Sequence, residues 1–410
     1  MDNNSPQNGN SFDAENQENN NENKKIGVRP NLRLLQTPKL KIIFITLFIF
    51  VVLLLSIHIN NNYGKFTKGP DLIYWKNTNC SLHKLKTGEI LILGSNSHKS
   101  LKHSNMLYFI KSEIFNPKTN KFNFVYIDNN LFFLSSAIIL NNGNILLTEV
   151  YPNRMAILNP ATFKIERFIN LHTKRYSGKF IIEISNEKIC VLSKDTNKNK
   201  NLFEIYDLNT GSLVYSFDIP MINSGDIYYK PVYRLKDDNI FVVNSGNKNF
   251  LINPKNKSYE EFINPWTQRL FSSVQINDTD VLIFSEYGYG EDQTIITKFS
   301  LKNKSYEKIG IYKYRMNWHK TDASFTKVDE NNVLICGGYK YLDPFKIFRT
   351  FSDEAYLFNN KSKKLHKLPK MIYPVAEHKT ILLNDGRIFI VGGKDYSFQT
   401  QFFKINKRRK

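Results

Sequence analysis

Beyond residue 80 the chain alternates short apolar runs with tight polar turns, and it does so periodically. The turns KTGE (86–89), NNGN (141–144), SNEK (185–188), KDDN (236–239), NDTD (277–280), ENNV (330–333) and NDGR (384–387) each separate two apolar stretches. The runs after them (ILILGS, ILLTEV, ICVLSK, IFVVNS, VLIFSE, VLICGG and IFIVGG) are rich in β-branched and aromatic residues. They are too short for helices, which predicts antiparallel hairpins. A second turn comes later in the units, as in FNPKTNKF (115–122), INPKNKSY (252–259) and FNNKSKKL (358–365). Two hairpins make a four-stranded sheet, and a spacing of about fifty residues suits a propeller blade. The expected fold class is all-β, a seven-bladed β-propeller over residues 71–410.

The seventh unit ends at FFKIN (402–406), one strand short of the others. The run Leu72-Ile73-Tyr74-Trp75 is predicted to supply that outermost strand and close the ring, because closure removes two free sheet edges.

Upstream the pattern changes twice. Residues 1–23 are polar with one aromatic, Phe12, and cannot bury enough apolar area to offset chain entropy. Residues 1–38 are therefore expected to form a disordered tail. The run IIFITLFIFVVLLLSIHI (42–59) would extend about 27 Å as a helix, enough to cross a hydrocarbon core. No small-x-small cleavage site comes after it, so 39–59 reads as a transmembrane signal-anchor and 60–70 as a linker. Lys24, Lys25, Arg29, Arg33, Lys39 and Lys41 precede the run, whereas only Lys65 and Lys68 lie close behind it. That asymmetry predicts a single-pass protein with a cytoplasmic N-terminus and an exported propeller.

The sequence Leu383-Asn384-Asp385-Gly386-Arg387-Ile388-Phe389-Ile390-Val391-Gly392-Gly393 resembles the core of a kelch repeat, and 331–338 repeats it, ending in Gly337-Gly338. The paired glycines imply close backbone approach at a strand end, where a Cβ would clash. Exported kelch-like propellers serve as interaction platforms, and they also include sialic-acid mutarotases and the galactose oxidase group. The resemblance thus implies two classes, a non-enzymatic protein- or glycan-binding module and a carbohydrate-active enzyme. The galactose oxidase type would need a copper site with Tyr, His and a crosslinked Cys, and no matching motif is found.

Composition narrows the chemistry. The 410 residues contain 57 Lys+Arg against 37 Asp+Glu, a net charge of +20, which favours anionic partners. Export would exclude nucleic acid and leave an acidic glycan or an acidic protein face. Three dispersed cysteines exclude a disulfide scaffold, with Cys190 and Cys336 expected as buried small hydrophobes. Histidines show no metal-ligand spacing, and no Ser-His-Asp set can be ordered, so no cofactor, metal or catalytic residue is assigned. What remains is the loop chemistry on one propeller face, where aromatic and basic residues recur. The candidate ligand-binding residues are Arg175, Tyr176, Trp266, Arg269, Arg315, Trp318, His319, Tyr341, Arg349, Glu377 and His378. Glu377, His378, Arg315 and Arg175 are the acid, base and guanidinium groups that a mutarotase reading would use.

Overall fold

The computed structural model describes residues 42–52, 63–73, 80–94, 111–127, 134–149, 153–172, 180–184, 187–195, 200–219, 232–244, 247–267, 269–286, 293–313, 323–341, 349–394 and 398–406. The predicted tail, residues 1–38, lies outside them. Two units are distinguished, residues 1–56 and 57–410.

In the first unit residues 42–52 are helical and bear exposed apolar side chains, Phe48 at 70% among them. No helix among the described residues is long and apolar enough to cross a membrane. The span expected over 39–59 is therefore helical over a described length of only about 16 Å. Its remaining residues lie outside the described ones.

The second unit contains seven four-stranded antiparallel sheets. Blade 1 runs from the innermost strand Ser81–Lys84 through Ile90–Leu93 and Lys111–Asn116 to the outermost strand Lys121–Tyr126. Blades 2 to 5 repeat this order, beginning at Leu134–Ile139, Phe180–Ile184, Val232–Arg234 and Arg269–Gln275. Blade 6 comprises Ala323–Lys327, Asn332–Gly337, Ala355–Asn359 and Lys364–Lys367, with a two-stranded ribbon inserted between its second and third strands. Blade 7 comprises Lys379–Leu382, Arg387–Val391 and Thr400–Ile405.

The strands after the first turns are apolar at consecutive positions because both faces of each sheet are covered. Ile90, Leu91, Ile92 and Leu93 are all buried. Leu91 packs towards blade 2, whereas Ile90 and Ile92 pack towards blade 7. The core is thus divided among the seams between neighbouring blades, one cluster to each. Aromatic stacking reinforces it, as between Phe241 of blade 4 and Phe299 of blade 5 at 4.1 Å.

Closure corrects the sequence prediction. The fourth strand of blade 7 is Gly64–Lys68, which lies within the stretch expected to be a linker. It pairs antiparallel with the last strand, Gly64 opposite Ile405, Phe66 opposite Phe403 and Lys68 opposite Gln401. Leu72 has another role. Its N–H bonds the Phe398 carbonyl at 2.7 Å, and its buried side chain joins Phe389 and Phe115 in the seam between blades 7 and 1. Ile73 N–H is held by Glu113 Oε2 at 2.8 Å, and Tyr74 and Trp75 lie outside the described residues.

Candidate functional site

The turns between first and second strands, and in blades 1 to 6 those between third and fourth strands, lie at one end of the blades, here called the turn face. Links between blades and between second and third strands lie at the other, the loop face. On the loop face of blades 6 and 7, the inserted ribbon meets the link 368–378.

The link is fixed along its length by backbone and side-chain partners. Buried Gln401 accepts from the N–H of Ile372 at 3.0 Å and donates to the Tyr373 carbonyl at 3.0 Å. Met371 N–H bonds the Asp353 carbonyl at 2.7 Å, and Val375 N–H bonds the Ser352 carbonyl at 3.1 Å. The two glycine pairs make room for this link. Gly338 N–H donates to the Val375 carbonyl at 2.8 Å, and a Cβ on Gly337 would lie 2.4 Å from that oxygen. A Cβ on Gly393 would lie 2.2 Å from Val375 Cγ2. The link passes close to both strand ends, so only glycine fits, and the φ angles of +70° and +111° require it too.

His378 is one consequence of this packing. It is buried, its Nε2 shares hydrogen bonds with Ser324 Oγ at 2.8 Å and Cys336 Sγ at 3.6 Å, and its Nδ1 has no hydrogen-bond partner. Burial lowers its pKa to about 3, with the Lys379 charge adding to the effect, so the ring is neutral at physiological pH. Burial likewise pushes the Cys336 thiol up to about 12 against the hydrogen bond from Ser324. His378 is therefore an interior tie between blades 6 and 7 rather than a solvent-facing base.

Glu377 points the other way. Its backbone adopts a left-handed φ of 59°, unusual for a side-chain-bearing residue. Its half-exposed carboxylate accepts the Tyr339 hydroxyl at 2.8 Å. Tyr339 begins the ribbon Tyr339–Tyr341, which pairs with Arg349–Phe351 and sets Tyr341 opposite Arg349. Tyr339 packs against Phe351 at 5.3 Å between ring centroids. Beside it Asp353 is shared by Lys340 at 3.0 Å and Lys370 at 2.8 Å. Burial tends to raise the Asp353 pKa, but the two lysines outweigh it and hold the carboxyl below the usual range.

Of the predicted residues, the structure thus brings Glu377 and His378 into one link, beside the ribbon that carries Tyr341 and Arg349. Trp266 is half-buried in the link between blades 4 and 5, its N–H on Asn264 Oδ1 at 3.2 Å, and Arg269 begins the innermost strand of blade 5. Arg175, Tyr176, Arg315, Trp318 and His319 lie outside the described residues. Tyr339, Asp353 and Gln401 were not assigned roles from sequence. Nothing in their local pattern sets them apart, since their partners are distant in the chain.

No family model matches this chain, and no curated protein matches it. Solved structures do. The fold is similar to a fungal alcohol oxidase of the AA5 family in complex with copper, with a TM-score of 0.65 and 15% identity over 84% of this chain and 77% of that one. It is also similar to streptogramin B lyase, with a TM-score of 0.55 and 12% identity over 84% of this chain and 98% of that one. At these identities the likeness defines the class, a seven-bladed all-β propeller. Among the described residues no group of three or more His, Cys, Asp or Glu converges.

Proposed function

We propose that this chain is a membrane-tethered, kelch-type propeller that binds an acidic protein face or acidic glycan on its loop face, outside the cytoplasm, without catalysis. The observation that carries the reading is the braced ribbon of blade 6. Glu377, Phe351 and Asp353 hold its base, and Tyr341 and Arg349 stand opposite each other beyond it. Tyrosine and arginine at paired positions are residue types that suit carboxylate-bearing ligands, and pre-organisation lowers the entropic cost of binding. The net charge of +20 supports an anionic partner, and the basic flank of the apolar run supports export.

A carbohydrate-active enzyme such as a sialic-acid mutarotase is the second reading, favoured by the half-exposed Glu377 in its strained backbone. A sialylated and neutral glycan array, run beside a sialic-acid mutarotation assay, tests both. The proposal expects retention on acidic glycans or acidic peptides that falls about tenfold in Arg349→Ala, with no mutarotation above background. Mutarotation that disappears in Glu377→Gln would establish the enzyme instead.

A further inference from the structure

The turn face repeats a contact that the loop-face reading does not use. On the outermost strand of blade 2, Arg167 donates to the Asn209 carbonyl in the third-to-fourth-strand turn of blade 3. Tyr215 of blade 3 does the same to the Pro254 carbonyl of blade 4, with Lys257 over its ring at 4.7 Å. Glu260 of blade 4 takes Lys304 of blade 5 at 2.6 Å, and Glu307 of blade 5 takes Lys363 of blade 6 at 2.7 Å. In each case an outermost strand grips the next blade's turn. These four side chains occupy one register position, opposite Ile157, Ile205, Leu251 and Lys298 of their third strands.

His366, opposite Leu357, is the corresponding residue of blade 6. Blade 7 has no such turn to offer, because its third and fourth strands are the two ends of the ring, Asn406 and Tyr63. There the Asn406 N–H bonds the Tyr63 carbonyl at 3.2 Å, and His366 stacks on the Tyr63 ring at 4.3 Å. A cleft of about 590 Å³ opens at this position, within the size range of small-molecule sites.

Its chemistry is specific. Part of its wall is the Tyr63–His366 aromatic pair. Another part is a linked polar set: Asn332 Nδ2 donates to both carboxylate oxygens of Asp329 at 2.9 and 2.8 Å, and Asn359 Nδ2 donates to Asn332 Oδ1 at 2.9 Å. Those bonds orient the groups and still leave an amide proton on Asn359 and lone pairs on Asp329 Oδ2 and Asn332 Oδ1. Donors and acceptors in close alternation match vicinal hydroxyls, which both donate and accept. Asp329 and Lys364 balance in charge, so the lining requires no ionic ligand.

We propose that this cleft binds a neutral pyranose, its C–H face on the Tyr63–His366 wall and its hydroxyls on the Asp329–Asn332–Asn359 set. The site is separate from the loop face and does not depend on it. The test is saturation-transfer NMR on the full chain with methyl β-D-glucopyranoside, methyl β-D-galactopyranoside, methyl α-D-mannopyranoside and N-acetylglucosamine, with sialic acid as the charged comparison. At least one neutral sugar should bind saturably. Tyr63→Ala and the isosteric Asp329→Asn should each weaken it about tenfold, while Arg349→Ala leaves it unchanged. Asp329→Asn keeps the oxygen that orders its turn, so it remains informative if Tyr63→Ala fails to fold. Saturable binding of sialic acid alone, of none of the probes, or of a neutral sugar equally in Asp329→Asn would overturn the proposal.

Discussion

At the scale of single residues, tolerance to a methyl group depends on what lies beside it. Gly337 has φ +70°, and an added Cβ would meet the Val375 carbonyl and the His378 ring at 2.4 and 2.5 Å. Gly386 has φ +79°, but a Cβ there would have nothing within 4 Å. Gly337→Ala should therefore cost about 3 kcal/mol or more, combining backbone strain with displacement of the link, while Gly386→Ala costs only about 1 kcal/mol. Chemical denaturation of the two variants checks the difference; equal losses would contradict it. The buried histidines add a pH dependence. Burial lowers His378 to about 3 and His83 to about 4 from 6.5, so between pH 6.5 and 4 the unfolded chain takes up protons that the folded chain refuses. Stability should fall with acidification over that window by about 1.4 kcal/mol per pH unit for each histidine, and should be fully present above pH 6.5. In His378→Gln the slope should lose one proton's share. An unchanged slope would mean that the ring titrates normally.

At the scale of elements, hydrophobic pattern and turn chemistry were enough to place the hairpins of all seven units. Strands such as Ile90–Leu93 and Arg387–Val391 are buried on both faces, which gives continuous apolar runs between Gly- and Asn-rich turns. The closing strand was misplaced for a physical reason. An outermost strand covers only one neighbour with one face, so Gly64–Lys68 needs a single half-buried aromatic, Phe66, and otherwise reads as polar. The run beginning at Leu72 looked more like a strand because Leu72 fills a seam, and burial alone does not specify pairing. The loop-face residues divided along the same line. Neighbours in sequence, Glu377 and His378, were legible as candidates, but their opposite orientations depend on Gly337 and Tyr339 from blade 6. The contact belt on the turn face was not legible, because Arg167, Tyr215, Glu260 and Glu307 share a register but, apart from the two glutamates, no residue type.

At the scale of the whole molecule, the proposed tether and the ring are tested separately. The basic residues before the apolar run predict that protease added to intact cells or spheroplasts removes a C-terminal tag and spares an N-terminal one. The reverse pattern would place the propeller in the cytoplasm and restore nucleic acid as a partner for its basic surface. Both proposed sites rest on ring closure, since it joins blade 7 to the chain's first strand and creates the cleft beside blade 6. It is tested most directly by comparing the thermal midpoints of Phe66→Asp and Ile73→Asn. Phe66 packs on Phe403 at 4.9 Å in the seam of blades 6 and 7, whereas the Ile73 side chain is 45% exposed. A charge at Phe66 should release the closing strand and lower the midpoint steeply, with Ile73→Asn close to the unsubstituted protein. A Phe66→Asp protein that melts like the unsubstituted one, with Ile73→Asn melting far earlier, would contradict closure by Gly64–Lys68.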